Sequence, residues 1–117
     1  MRPFKPTHRI TESNGQQFDV MRDEDGSAVY TQAEWETNSP ADHEVDDLGH
    51  WTFQGRPVTT KVERLYWLAI PSDTTGGWDV LEQFAASSDD NANYYAEATH
   101  PGEDWYVLDA NGENING

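Results

Sequence analysis

A net charge of -15 on 117 residues is the feature that most limits how this chain can fold. Twenty-two acidic residues stand against seven lysines and arginines, and like charges at this density repel one another in any compact state. Five tryptophans, five tyrosines and four phenylalanines oppose that repulsion, because aromatic surface gains free energy by leaving water. Disordered chains are poor in aromatic residues, so we predict a folded protein.

The length predicts one domain, residues 1–117, with one modest core and with mobile ends at 1–16 and 111–117.

The charge of the protein is unevenly spread along the chain. All seven lysines and arginines lie in residues 1–64, whereas residues 65–117 carry ten acids and neither lysine nor arginine. The second half therefore sets most of the electrostatic field, although halves of a sequence need not become faces of a fold.

Two segments have the pattern of main helices. Apolar residues in WDVLEQFAAS, 78–87, recur at helical spacing. The segment DDNANYYAEATH, 89–100, follows, with Asp89 or Asp90 as its N-cap and a stop before Pro101. A shorter helix is predicted around Trp35, because TQAE matches a capping box.

The remaining patterns predict strands joined by hairpin turns. QQFDVMR and AVY flank an Asp-Gly turn in DEDGS, and HWTFQ pairs with VTTKVERLYWLAI across GRP. DWYVLD is expected to be a last strand, and residues 38–49 form either a helical turn or an acidic loop. The fold class is thus α+β, an antiparallel sheet of four to five strands with two main helices packed on one face. The predicted core residues are Phe18, Val20, Val29, Phe53, Val62, Leu65, Trp67, Leu68, Ile70, Leu81, Phe84, Tyr106 and Leu108.

Composition excludes several classes of function. Nucleic-acid binding and attachment to an anionic membrane both need cations, so we expect no direct nucleic-acid or membrane partner. The longest apolar run, LYWLAIP, is far short of a membrane span, and residues 1–13 lack the apolar stretch of a signal peptide. The chain has no cysteine, hence no disulfide, and we expect a cytoplasmic protein.

Motifs for catalysis and for metals are weak. DEDGS fails as a calcium loop, because an EF-hand aligned on Gly26 puts Met21 and Gln32 at ligand positions. The nearest approach to a metal site is HEVDDLGH, where on one helix the two histidines would lie about 10.5 Å apart, too far to share an ion. The candidate ligands there are His43, Asp46, Asp47 and His50. No nucleophile elbow, phosphate loop or dinucleotide fingerprint is present, so we expect no cofactor and favour a binding protein over an enzyme.

The most informative stretch is residues 87–109, which hold six carboxylates, four large aromatic residues and one histidine, with neither lysine nor arginine. Duplex DNA carries one charge per ~1.7 Å, so roughly 35 Å of duplex carries about 20 charges, the order of this chain's excess. We therefore predict a non-enzymatic interaction module that binds a basic protein and mimics nucleic acid, in the manner of small phage and plasmid inhibitors of host defence. The analogy to those mobile-element proteins is one of composition alone. The predicted binding residues are Asp89, Asp90, Tyr94, Tyr95, Glu97, Glu103, Asp104 and Trp105.

Two alternatives remain open from the sequence. An aromatic residue beside a carboxylate also suits a pocket for a small organic cation. A salt-adapted protein of unrelated function would carry a similar acidic surface, because high salt screens the repulsion. The sequence leaves the oligomeric state open, a homo-oligomer included.

Overall fold

The computed structural model describes residues 3–22, 26–74 and 76–117, and in these ranges the chain forms nine strands and two helices. The strands are β1 His8–Thr11, β2 Gln17–Arg22, β3 Ala28–Thr31, β4 His43–Val45, β5 Trp51–Phe53, β6 Arg56–Pro57, β7 Lys61–Pro71, β8 Trp78–Ala86 and β9 Tyr106–Leu108. The helices are α1 Gln32–Glu36 and α2 Asp89–Thr99. Neither described helix has the length and apolar character needed to cross a membrane.

The predicted α+β fold class is wrong in its number of strands and in its helix content. The described chain is mostly antiparallel sheet, with nine strands instead of four or five, and its two short helices make up only about 14% of the residues. One of the two predicted main helices is a strand, so the two-helix layer does not exist. Much of the fold consists instead of short strands that pair across tight turns.

The chain divides into two compact units, residues 1–62 and residues 63–117, which we call unit 1 and unit 2. Unit 1 is an antiparallel meander in which each strand from β1 to β6 pairs with the next. Its core brings together one apolar residue from each of four successive strands: Ile10, Val20, Val29 and Val45. Phe18, Trp51 and Val62 pack against that cluster.

The capping box predicted before Trp35 is confirmed. The Thr31 hydroxyl accepts a hydrogen bond from the Glu34 amide at 3.2 Å, and the Glu34 carboxylate accepts one from the Thr31 amide at 2.9 Å. These reciprocal bonds satisfy amides that a helix start leaves unpaired. They start α1 immediately after β3 and so turn the chain sharply at this point.

Unit 2 is built on β7, which pairs with β8 along one side and with β9 along the other. Helix α2 packs on this sheet through Ala92 and Ala96, which are fully buried. Their small side chains allow the helix to approach the sheet closely. The sheet contributes Tyr66, Leu68, Phe84, Ala86 and Val107 to the same core, and Tyr95, Trp105 and Ile115 pack at its border.

Helix α2 confirms the predicted helix at 89–100, although its N-cap is Ser88 and neither Asp89 nor Asp90. The Ser88 hydroxyl accepts a hydrogen bond from the Asn91 amide at 3.2 Å. The two aspartates occupy the first turn, where negative charge is favoured by the helix dipole.

The other predicted helix, 78–87, is the strand β8. A β-bulge explains the error: Leu68 pairs with Glu82 and Ala69 with Val80, which leaves Leu81 as an extra residue. At such a bulge the side-chain alternation of a strand changes phase. Apolar residues on both sides of the bulge therefore lose their period of two and imitate a helical stripe.

Further predictions also fail or fall outside the described residues. Phe53 and Leu81, predicted as core, are 42% and 47% exposed. The HWTFQ segment contributes β5, which pairs with β4 and β6 and not with the LYWLAI strand. Residues 38–49 contain the strand β4 in place of a helical turn or a loop alone. The DEDGS turn cannot be compared, because residues 23–25 lie outside the described ranges.

The two ends predicted to be mobile contribute to the cores. Ile10 of β1 lies in the core of unit 1, and Ile115 packs on the core of unit 2, where its amide donates to the Val107 carbonyl at 3.0 Å. The end segments therefore hold apolar residues that stabilise each unit.

We expect Ala96→Leu to lower the free energy of unfolding by about 1–3 kcal/mol, because a larger side chain does not fit between α2 and the sheet. Ala98→Leu makes the same change on the exposed side of this helix and should alter stability by less than about 0.5 kcal/mol. Urea unfolding followed by circular dichroism measures both variants. Equal effects would contradict the packing of α2 through Ala96.

Candidate functional site

The solvent side of α2 gathers part of the predicted binding site. Asp90, Tyr94 and Glu97 are spaced at i, i+4 and i+7, so they lie on one side of the helix, and all three are exposed. Tyr94 is 77% exposed, which is unusual for a large aromatic side chain. Two carboxylates about 10.5 Å apart along the helix thus flank an exposed aromatic ring.

The loop after α2 adds a further carboxylate. The Trp105 indole nitrogen donates a hydrogen bond to the Glu97 carboxylate at 2.8 Å, which fixes this loop against the helix. Asp104, the preceding residue, is exposed. We call Asp90, Tyr94, Glu97 and Asp104 the acidic face of unit 2.

Two of the predicted site residues contact core residues of unit 2 instead. Asp89 accepts a hydrogen bond from the Tyr66 hydroxyl at 2.8 Å. Tyr95 stacks on Phe84, with ring centroids 4.3 Å apart, and donates its hydroxyl proton to Glu82. These contacts give Asp89 and Tyr95 structural roles.

The tyrosine hydroxyls are strongly affected by these contacts. Burial raises the pKa of Tyr66 to about 12, and the hydrogen bond to Asp89 acts in the same direction. The hydrogen bond to Glu82 raises the pKa of Tyr95. Both hydroxyls therefore stay protonated, and remain donors to carboxylates, to a higher pH than an ordinary tyrosine does.

Glu103 also has a partner within its own loop. Its carboxylate lies 2.8 Å from Nδ1 of His100, the C-cap residue of α2. Of the eight predicted residues, five thus have a described side-chain partner: Asp89, Tyr95, Glu97, Glu103 and Trp105.

The sequence did not reveal an exposed apolar strip on β8. Trp78, Val80 and Leu81 are all exposed, and β8 pairs only with β7 among the described strands. Asp79 and Glu82 alternate with these residues. Alternating apolar and acidic residues indicate a partly exposed strand, but the extra residue Leu81 interrupts the alternation, so the pattern was not recognised.

The charge of unit 2 is almost entirely negative. Residues 63–117 contain eleven acids and one cation, Arg64, for a net charge of -10. The acidic face and the strip on β8 thus belong to a unit whose field attracts positively charged partners.

Among the described residues, two of the weak metal candidates have their side chains in contact: Nδ1 of His50 lies 3.3 Å from the Asp46 carboxylate. His43 is buried in β4 and contacts the rings of Phe18 and Phe53. Burial lowers its pKa, although nearby carboxylates act to raise it. Asp46 instead accepts hydrogen bonds from the amides of Leu48 and His50 at 2.9 Å and 2.8 Å, and these bonds lower its pKa. Asp47 and His50 are exposed on the same turn. Within the described ranges, no three His, Asp or Glu side chains are placed to hold a metal ion.

No family model, curated protein or solved structure matches this chain. Arguments about its function therefore depend on the geometry and charge of the described residues.

The contact between Tyr66 and Asp89 predicts a pH dependence of stability. Because the folded-state pKa of Tyr66 is about 12 and the ordinary value is 10, the folded protein retains this proton at a pH where the unfolded chain loses it. The stabilisation is therefore complete below pH 10 and is lost as the pH rises from 10 to about 12. The measurement is urea unfolding of wild type and Tyr66→Phe across that range.

The difference in unfolding free energy between these two proteins should change across that pH window. Tyr94→Phe, the same substitution at an exposed position, is the matched control. A pH-independent difference for Tyr66→Phe would contradict the buried hydroxyl contact.

Proposed function

We propose that this chain is a non-enzymatic interaction module whose acidic face binds a basic protein in the place of nucleic acid. The observation that carries the proposal is the exposed row of Asp90, Tyr94 and Glu97 on α2, in a unit of net charge -10. The proposal places this binding in the cytoplasm, in keeping with a chain free of cysteine.

Electrostatics supports a basic partner. At physiological salt the Debye length is about 8 Å, so carboxylates spaced by about 10 Å are largely screened from one another, and each acts on the part of a basic protein surface that comes close to it. Their summed field speeds encounter with a cationic groove and repels acidic surfaces. The carboxylates then occupy positions that phosphates take in the competing nucleic acid.

Tyr94 adds exposed aromatic surface to the charge of the carboxylates. Tyrosine is enriched among the residues that dominate binding energy at protein interfaces, and an exposed ring has large area to bury. Its place between Asp90 and Glu97 matches arginine-rich surfaces, because a guanidinium can pair with the carboxylates and stack on the ring. This combination favours a protein surface over a single small molecule at this site.

The test is a comparison of two triple variants with wild type. The first, Asp90→Lys, Tyr94→Ala and Asp104→Lys, changes the acidic face and spares residues with described side-chain partners. The control variant, Glu44→Lys, Asp47→Lys and Leu48→Ala, changes the same charge and removes an equally exposed apolar side chain in unit 1.

Each protein is immobilised and used to capture partners from a host lysate, with elution by a NaCl gradient and quantification by mass spectrometry. We expect wild type and control to retain a basic nucleic-acid-handling protein that added duplex DNA displaces. The acidic-face variant should bind that protein about tenfold more weakly or worse. Capture that survives the acidic-face changes, or that both variants lose equally, would contradict the proposal.

A further inference from the structure

Unit 1 contains an aromatic corner at the junction of β3 and α1. Tyr30 is in β3 and Trp35 is in α1, and their ring centroids lie 5.4 Å apart with the ring planes at 65°. The sharp start of α1 at Thr31 brings these residues together, because helix follows strand without a connecting loop. The two rings are half-buried, so part of each remains accessible.

A cavity of about 300 Å³ opens at this corner. The rings of Tyr30 and Trp35 line it together with Glu34 and the turn Asn38–Pro40. Asn38 has a left-handed backbone, with φ of 56°, and this conformation folds the turn back over the end of α1. The Ser39 amide donates to the Glu34 carbonyl at 2.9 Å and holds the turn in place.

The carboxylate in the cavity is fixed in its position. Glu34 Oε1 accepts a hydrogen bond from the Thr31 amide at 2.9 Å, and Oε2 accepts one from the Asp42 amide at 3.2 Å. Both bonds hold the carboxylate in one orientation. Among the described residues that line this cavity there is no lysine or arginine, and Glu34 is the charged one.

We propose that this cavity binds a small organic cation that carries a methylated ammonium group. Two aromatic rings set at a steep angle present ring surface on two sides, and ring faces attract cations, most strongly when water is excluded. A quaternary ammonium has no N–H donor, so it needs no hydrogen-bond acceptors beyond the negative charge of Glu34. Its methyl groups gain by contact with the rings and with Pro40.

Two larger cavities of unit 1 fit a cation less well. One of about 860 Å³ contains Arg9 in an ion pair with Asp19, and one of about 410 Å³ is lined by Arg56. The aromatic corner combines ring surface with a carboxylate, and its described lining residues include no arginine. This site lies in unit 1 and is independent of the acidic face of unit 2.

The first experiment uses the wild-type protein and NMR titrations at constant ionic strength. Tetramethylammonium chloride replaces NaCl in one series, and choline is compared with its uncharged isostere 3,3-dimethylbutan-1-ol in another. We expect saturable shifts, nuclear Overhauser contacts from the ligand methyl groups to the Tyr30 and Trp35 rings, and roughly two- to thirtyfold weaker binding of the neutral isostere.

Substitutions locate the site. Trp35→Leu should weaken binding of tetramethylammonium roughly fivefold or more, and Glu34→Gln, which keeps one oxygen acceptor, should also weaken it. Trp78→Leu removes an exposed tryptophan next to an acid in unit 2 and should leave binding unchanged.

Three results would overturn the proposal: equal binding of the neutral isostere, contacts from the ligand to tryptophans other than Trp35, or equal losses in Trp35→Leu and Trp78→Leu. If Trp35→Leu does not fold, the nuclear Overhauser contacts measured on the wild type still show whether the ligand lies at the aromatic corner.

Discussion

In unit 2, aromatic hydroxyl and indole groups take the role that lysine and arginine usually have beside carboxylates. Tyr66 donates to Asp89, Tyr95 to Glu82, and Trp105 to Glu97. Each of these donors belongs to a ring at the core of the unit or packed against it, so the carboxylates are tied to the apolar interior. A unit with one cation against eleven acids can in this way hold α2 and the following loop on its sheet.

These bonds also explain why aromatic and acidic residues are mixed in residues 87–109. The aromatic residues anchor some of the carboxylates, and other carboxylates are left at the surface with Tyr94. Asp90 and Asp104 belong to this second group, and their charges add to the repulsion within the unit, although the helix dipole also favours Asp90. The proposed binding of a basic partner would give these surface charges a role other than folding.

Local signals in the sequence predicted local structure well. The capping box at Thr31 and Glu34, the helix at 89–100 and the strand pair β2–β3 depend on neighbouring residues, and each is present. Features that depend on distant pairing were missed. The bulge in β8 is defined only by pairing with β7, and because of it the spacing of Trp78, Val80 and Leu81 in the sequence resembles that of a helix.

The same limit applies to the candidate site. Composition pointed to residues 87–109, and the exposed row on α2 lies there. The sequence did not distinguish the anchored carboxylates from the surface ones, because Tyr66 is 23 residues from Asp89, and Glu82 is 13 residues from Tyr95. The aromatic corner of unit 1 was also missed: the start of α1 at Thr31 was predicted, but the left-handed backbone of Asn38, which closes the corner, was not.

The most direct test of this division among carboxylates is the free energy of unfolding of two variants at low salt. One neutralises the anchored set by Glu82→Gln, Asp89→Asn and Glu97→Gln, and the other neutralises exposed acids of unit 2 by Asp79→Asn, Asp104→Asn and Glu113→Gln. Both remove three negative charges. Our account predicts that the first variant is less stable than wild type and that the second is more stable, with the second effect shrinking as salt is added. Stabilisation by both variants, or equal effects of the two, would contradict it.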